Sequence, residues 1–318
     1  MRIEPGTLEA GRPVLVLLSG GRDSVCLLSV AVEVCGAEAT TALHVDYGLR
    51  EDSGEDARIC AALCERLGVA LRVERPRRPE GEGGNLQAWA RDTRYGLAAQ
   101  AGCDVATGHT ATDQVETVLY RLASSPSRRA LRGMAPRSGR LVRPLLGVTR
   151  HDTQAYCRER GLAWCDDPSN ATDAFARGRV RHGVVPALRS VHPAAEANVL
   201  RLAELLRAEG EVLDALVDEV VGGAGHVSLD ALRALPAALA RLVVVRLAED
   251  AAPAGRAPRA GSRAAEILAL DAQRPWTALD VGDGVRAVVE RGRLRFEAYT
   301  PGPCATPPSA RSSSSRTS

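Results

Sequence analysis

The sequence predicts an α/β fold, a parallel sheet with helices on both faces, followed by a smaller, mainly helical domain. Short apolar runs alternate with amphipathic stretches through the N-terminal half, the pattern of strands linked by crossover helices. Ser19, Asp46 and Gly108-His109 all fall where a predicted strand ends, the side of such sheets on which ligands bind. From Pro193 the texture changes to Ala/Leu/Arg-rich helical sequence.

Val14 to Leu18 reads as the first buried strand, and the apolar stretch Val25 to Val34 as the helix after it. Thr40 to Val45 is a second strand, and Ser53 can cap a helix ending at Gly68, with Ile59, Leu63 and Leu67 on one face. Val69 to Val73 is a third. A Pro/Gly/Arg-rich loop from Arg75 to Gly84 leads to a helix over Leu86 to Ala101. Val105 to Thr107 is a short strand, Thr112 begins another helix, Leu141 to Leu146 reads as a strand and Arg150 to Arg160 as a helix. Beyond Pro193, helices extend to Leu247 and over Ala264 to Leu270, with a hairpin of Val285 to Val289 and Leu294 to Glu297 around Gly292. The expected domains are 1–192, catalytic, and 193–300, mainly helical, with a disordered Pro/Ser/Thr/Arg-rich tail over 301–318.

With 45% hydrophobic and 25% charged residues among 318, the composition is that of an ordinary globular protein. The net charge of +2 supplies no global basic field for nucleic acid. There is no lysine, so a permanently charged phosphate contact must come from arginine. Eight cysteines, at 26, 35, 60, 64, 103, 157, 165 and 304, include no C-x-x-C pair, which argues against a zinc knuckle, an iron–sulfur site or a thioredoxin motif. Neither a secretory pattern nor an apolar run of membrane-spanning length is present, so the expected location is cytoplasmic, with no membrane partner.

Ser19-Gly20-Gly21-Arg22-Asp23-Ser24 joins the first strand to its helix, and a glycine turn at a helix N-terminus is suited to phosphates. A Walker A loop would need a Gly-Lys-Ser/Thr sequence. The hexapeptide instead resembles the PP-loop, SGGxDS, of ATP pyrophosphatases, which cleave ATP between its α- and β-phosphates. Turn glycines and capping residues without a ligand are the alternative. In Gly108 to Thr117, Asp113, Glu116 and Tyr120 share one helix face while Val115, Val118, Leu119 and Leu122 form the other. Taken alone, that helix is amphipathic with solvated acids.

The ordered set SGGRDS, HVDYGLR (44–50), NLQAWARDTRY (85–95), GHTATDQVET (108–117), VRPLL (142–146), LAWCDDPSN (162–170) and RGRVRHGVVPAL (177–188) resembles the tRNA(Ile)-lysidine synthetase family. The resemblance is close over about residues 12 to 195 and implies an adenine nucleotide α-hydrolase-like PP-loop domain. It implies a ligase that joins free L-lysine to C2 of the wobble cytidine of CAU-anticodon tRNA(Ile). ATP first adenylates the cytidine O2, releasing pyrophosphate; a lysine amine then displaces AMP, and decoding shifts from AUG to AUA. It further implies that Ser19, Gly20, Gly21, Asp23 and Ser24 cradle ATP, with Asp23 near Mg²⁺, and that His44, Asp46 and Gly108 border the nucleotide. His109 is the implied catalytic histidine, with Asp23, Asp113 and Glu116 as catalytic acids; Asp113 and Glu116 also bind lysine. Arg91, Arg94, Arg177, Arg179 and Arg181 are expected contacts for tRNA or phosphate.

Thr112 replaces a usual Asp, Gly178 a usual Asn, and Ser124 to Ser127 a Gly-rich stretch. The rival readings are another PP-loop tRNA-modifying enzyme, such as a 2-thiocytidine synthetase, and a non-catalytic tRNA-binding module. The oligomeric state is open, with a homodimer as one expectation.

Overall fold

The computed structural model describes residues 1–48, 53–78, 86–125, 128–165, 176–253 and 258–300. Leu49 and Arg50, the side chain of Ser53, Asp166 to Asn170 of the DPSN segment, and the tail over 301–318 lie outside the described residues. The chain divides into two compact units, Met1–Arg207 and Ala208–Ser318.

In the first unit the elements alternate: β1 (Val14–Leu17), α1 (Arg22–Cys35), β2 (Thr40–Val45), α2 (Ser53–Leu67), β3 (Ala70–Glu74), α3 (Leu86–Ala99), β4 (Asp104–Ala106) and α4 (Ala111–Ser124). There follow α5 (Arg128–Leu131), β5 (Arg137–Ser138), β6 (Leu141–Val142), α6 (Arg150–Glu159), α7 (Ala176–Arg179), α8 (Val185–Val191) and α9 (Ala195–Val221), of which the part up to Arg207 belongs to this unit. The sheet order is β3-β2-β1-β4-β6-β5, parallel throughout except for the β5–β6 pair. Successive residues of β1 serve opposite faces. Val14 and Val16 join Leu28, Cys60 and Tyr156 in the larger core, while Leu15 and Leu17 pack with Leu43, Ala98 and Val105 on the other side. The expected two-faced parallel sheet is therefore present.

The Leu141–Leu146 strand is shorter than expected, because Pro144 cannot continue the ladder and the chain turns there. The solvated-acid reading of α4 fails: Glu116 is 1% exposed, and Leu122, assigned to the apolar stripe, is exposed. The compact unit also runs past 192, since Arg207 on α9 donates to the carbonyls of Arg132 and Met134.

In the second unit are β7 (His226–Ser228), α10 (Leu229–Ala234), α11 (Ala237–Ala251), α12 (Ala264–Leu268), β8 (Trp276–Gly282), β9 (Val285–Glu290) and β10 (Arg293–Ala298). The expected hairpin, β9–β10, belongs to an antiparallel sheet of order β7-β10-β9-β8. Asp283-Gly284 and Arg291-Gly292 both have positive φ, the type I′ geometry whose twist matches a hairpin.

Gln114 clamps the chain after α5 to α4. Its amide accepts from Met134 N at 2.7 Å and donates to Met134 O at 2.9 Å. Gly133 lies against that clamp with φ +67°, and a Cβ there would meet the Gln114 amide carbon at 2.7 Å. Gly139 shares the positive φ, +58°, but borders open space. Gly139→Ala should cost about 1 kcal/mol, the backbone penalty alone, and Gly133→Ala about 2 kcal/mol more through the clash. Urea unfolding of both variants checks this, and equal losses would contradict it.

Candidate functional site at the ends of three adjacent strands

The C-terminal ends of β1, β4 and β6, neighbours in the sheet, gather the site. At β1 the chain turns through Gly20, with φ +86°, into α1. Gly21 is the N-cap of α1 and brings no side-chain cap, so the first turn presents its N–H groups and dipole outward. Ser24 folds back: its hydroxyl donates to Gly21 O at 2.8 Å and accepts from Ser19 N at 3.1 Å. These bonds hold the loop in the shape that receives a phosphate.

The loop after β4 packs directly on this helix start. A Cβ on Gly108 would come within 3.0 Å of the Asp23 backbone, so only glycine permits the approach. Thr110 then caps α4 in a reciprocal box, with Asp113 Oδ2 accepting from Thr110 N at 2.9 Å and Oγ1 at 2.8 Å. Asp113 thereby has one oxygen fixed by the cap and Oδ1 turned to the site.

Two arginines knit the acids together. Arg150, the first residue of α6, lies 2.9 Å from Asp113 Oδ1, 3.4 Å from Asp23 Oδ2 and 3.7 Å from Glu116 Oε1. Arg181 forks onto Glu116, Nε to Oε1 at 2.6 Å and Nη2 to Oε2 at 3.0 Å. Thr153 adds a 2.5 Å bond to Asp23 Oδ1. Arg181 lies in a π-helical turn, Val180–Val184, a feature frequent at functional sites. Burial opposes ionisation of Asp113, but Arg150 and the Thr110 bonds outweigh it and hold its carboxyl below the usual range. Burial opposes the charge of Arg181 as well, but the Glu116 carboxylate outweighs it and holds the guanidinium above the usual arginine range.

Arg150 had no signal in the sequence beyond opening a helix. Its placement depends on Thr112, the departure from the family pattern, whose hydroxyl accepts from Arg150 N at 3.3 Å. Arg181, expected to contact tRNA or phosphate, pairs with Glu116.

Of the other expected residues, His44 is buried under the loop, its Nδ1 2.9 Å from Leu18 O and 3.4 Å from Cys60 Sγ. It supports the strand end from below. Asp46 accepts from Gly48 N at 3.0 Å and pairs with Arg75 at 3.2 Å. Arg91, Arg177 and Arg179 are exposed, while Arg94 is half-buried. Burial pushes the Cys60 thiol up to about 12 and Cys64 to about 11, so both stay protonated at neutrality.

His109 Nδ1 lies 2.9 Å from Thr107 Oγ1. Burial, opposed by Asp113 and reinforced by Arg143, Arg177 and Arg94, lowers its pKa to about 4. The imidazole is therefore neutral at pH 7. Between pH 4 and 6.5 the unfolded chain binds a proton that the folded chain refuses, so this histidine's contribution to stability is complete above 6.5 and disappears as pH falls through 4. The unfolding midpoint of His109→Gln should vary less across that window than that of the unaltered protein; parallel curves would show a solvated histidine.

A family of PP-loop domains matches residues 4–188. The chain is 39% identical to a tRNA(Ile)-lysidine synthase from Nocardia farcinica over 93% of its own length and 95% of that protein's. It is 38% identical to a tRNA(Ile)-lysidine synthase from Gloeobacter violaceus over 77% of the chain and 80% of the relative. Among solved structures it is similar in fold to the U34-tRNA thiolase NcsA from Methanococcus maripaludis with its 4Fe–4S cluster. The TM-score is 0.53 at 18% identity, covering 64% of this chain and 74% of that one. Because the Nocardia likeness runs through both compact units as well as the PP-loop, the chain belongs to the tRNA(Ile)-lysidine synthase family.

Proposed function

We propose that the protein uses ATP to activate the wobble cytidine of CAU-anticodon tRNA(Ile) and ligates L-lysine to it. The observation that carries this reading is the pair of half-buried Asp113 and buried Glu116, two carboxylates one helical turn apart beside a phosphate loop. A loop of this type alone implies only pyrophosphate release; the paired acids supply a receptor for an ammonium group.

In the first step the cytidine O2 attacks the α-phosphorus of ATP and pyrophosphate leaves toward Gly21 and the first turn of α1, where donors meet the developing charge. In the second, a lysine amine attacks C2, the bond to the adenylate oxygen breaks, AMP departs and the amine loses a proton. Asp113, held ionised, binds the ammonium rather than accepting its proton. Lysine enters by exchange: its ammonium takes the place of a guanidinium on the acids, and the released Arg150 or Arg181 receives its carboxylate. His109, neutral and adjacent to Asp113, faces the adenylate.

Magnesium fits as an ion carried in by ATP. Among the described residues no group of three or more potential ligands would hold a metal by itself, and Mg²⁺ bound to phosphates needs only one or two carboxylates. Asp23 is the carboxylate at the loop, and the ion would neutralise the leaving pyrophosphate. Among the described residues no helix is long and apolar enough to cross a membrane, and we place the protein in the cytoplasm.

With CAU-anticodon tRNA(Ile), ATP, Mg²⁺ and labelled lysine, nucleoside digestion should release a lysine–cytidine adduct. Its absence, from protein that binds ATP, would sink the proposal. Arg150→Met and Asp113→Asn should each lower kcat/KM for lysine about 100-fold, the scale of losing one charged contact in a closed site, while tRNA adenylation falls much less. Equal loss of both half-reactions would contradict the division of labour.

A further inference from the structure

A second charged group borders the site, and it lacks counter-charges. Arg91, Arg94 and Tyr95 come from α3, Arg121 from the last turns of α4, and Arg143 from the chain just after β6. None of these arginines has a carboxylate partner among the described residues. Arg143 is only 9% exposed; one of its Nη groups donates to Ala135 O at 2.6 Å, and its Nε has no partner. Arg94 Nε and the Tyr95 hydroxyl are also buried without partners. The Arg91 and Arg94 guanidiniums lie 5.2 and 5.4 Å from the centre of the Tyr95 ring, so the three side chains form one stack.

Orphaned donors of this kind are rare, because each carries a desolvation cost of about 1–3 kcal/mol with nothing to offset it. The charges add to that cost. Burial, then Arg91 and Arg121, pull the Arg143 guanidinium below the usual arginine range, and Arg121 is lowered by its own burial and by Arg177 and Arg91. Like charges crowded at one place, with Arg143 Nε, Arg94 Nε and the Tyr95 hydroxyl unspent, describe a site that lacks its anion. Its position is equally specific: β4 lies between β1 and β6, so Arg143 stands one strand beyond His109 from the phosphate loop.

We propose that Arg143, Arg94 and Tyr95, with Arg121 behind them, form a second oxyanion site that receives a single phosphate group during the reaction. This deepens the reading of the protein as a nucleotide- and RNA-handling ligase and rests on it. The ligand is a phosphate oxyanion, either an RNA phosphodiester beside the reacting nucleotide or a phosphate of the adenosine nucleotide. A planar guanidinium offering two N–H groups and a phenol offering one suit adjacent phosphate oxygens.

The full-length chain tests this with Arg143→Gln, Arg143→Lys and Tyr95→Phe. Binding of a non-hydrolysable ATP analogue and of the tRNA transcript is measured separately, without lysine, and sulfate serves as a bare oxyanion in thermal shifts. Arg143→Gln should weaken one of the two ligands about 10-fold and abolish stabilisation by sulfate, with Arg143→Lys recovering part of each. If the RNA arm falls, its slope against log salt should shrink by about one phosphate contact, which assigns the source to RNA; if the nucleotide arm falls, the source is ATP. Tyr95→Phe keeps the ring and should weaken the same arm about threefold, so it decides the matter if Arg143→Gln fails to fold. An arginine serving structure alone would give the reverse, with the melting temperature lowered and both affinities and the sulfate shift intact. That pattern, shared by Tyr95→Phe, would overturn the proposal. Since neither arm requires turnover, failure here leaves lysine ligation untouched, and failure of ligation with these affinities intact leaves this site standing.

Discussion

The clasp of Arg150 and Arg181 on Asp23, Asp113 and Glu116 is the interaction on which the site depends. Glu116 is almost fully enclosed, and an enclosed carboxylate without a partner would take up a proton or push the helix outward. The two guanidiniums hold all three acids close together. They also tie together four segments distant in sequence: the start of α1, the first turns of α4, the start of α6 and the π-helical turn after α7. A buried ion pair is weak evidence for stability, since apolar residues of similar volume often serve as well.

That clasp is only as exact as the helices that carry it. α1 and α6 are fastened along their length by Ser29 to Tyr156 at 3.1 Å, Tyr156 to Glu33 at 2.9 Å and Arg160 to Glu33 at 2.9 Å. The Thr153 bond to Asp23 continues the same row into the site. Arg150 begins α6, so the packing of the helix determines where its guanidinium lies. Thr112 then fixes its backbone from the side of α4. The threonine that departs from the family pattern thus has a positioning role in place of a carboxylate.

What was legible in the sequence follows from the range of the forces involved. The phosphate loop is local, a strand, two glycines and a helix start, and its residues could be read in a row. The parallel sheet was legible because apolar period and length report burial directly. Arg150 was not, since an arginine at the start of a helix carries no sign of what lies across from it. Glu116 was misjudged on spacing alone for a related reason: helical periodicity separates polar from apolar faces, but a polar face can be turned inward when another element brings a counter-charge. β8 was missed although Asp283-Gly284 is a strong hairpin signal; its strand is mostly half-exposed, so no clean alternation marks it.

The net charge of +2 pointed away from nucleic acid, and here the total misleads because it averages over a segregated site. On one side of His109, the carboxylates of Asp23, Asp113 and Glu116 are matched by the guanidiniums of Arg22, Arg150 and Arg181. On the other side, Arg94, Arg121 and Arg143 have no carboxylate partner among the described residues. His109 sits on the boundary, its pKa lowered mainly by burial and further by the arginines, and raised by Asp113. A histidine so placed is neutral until phosphate arrives on the basic side, and the negative charge of that phosphate then restores part of its proton affinity.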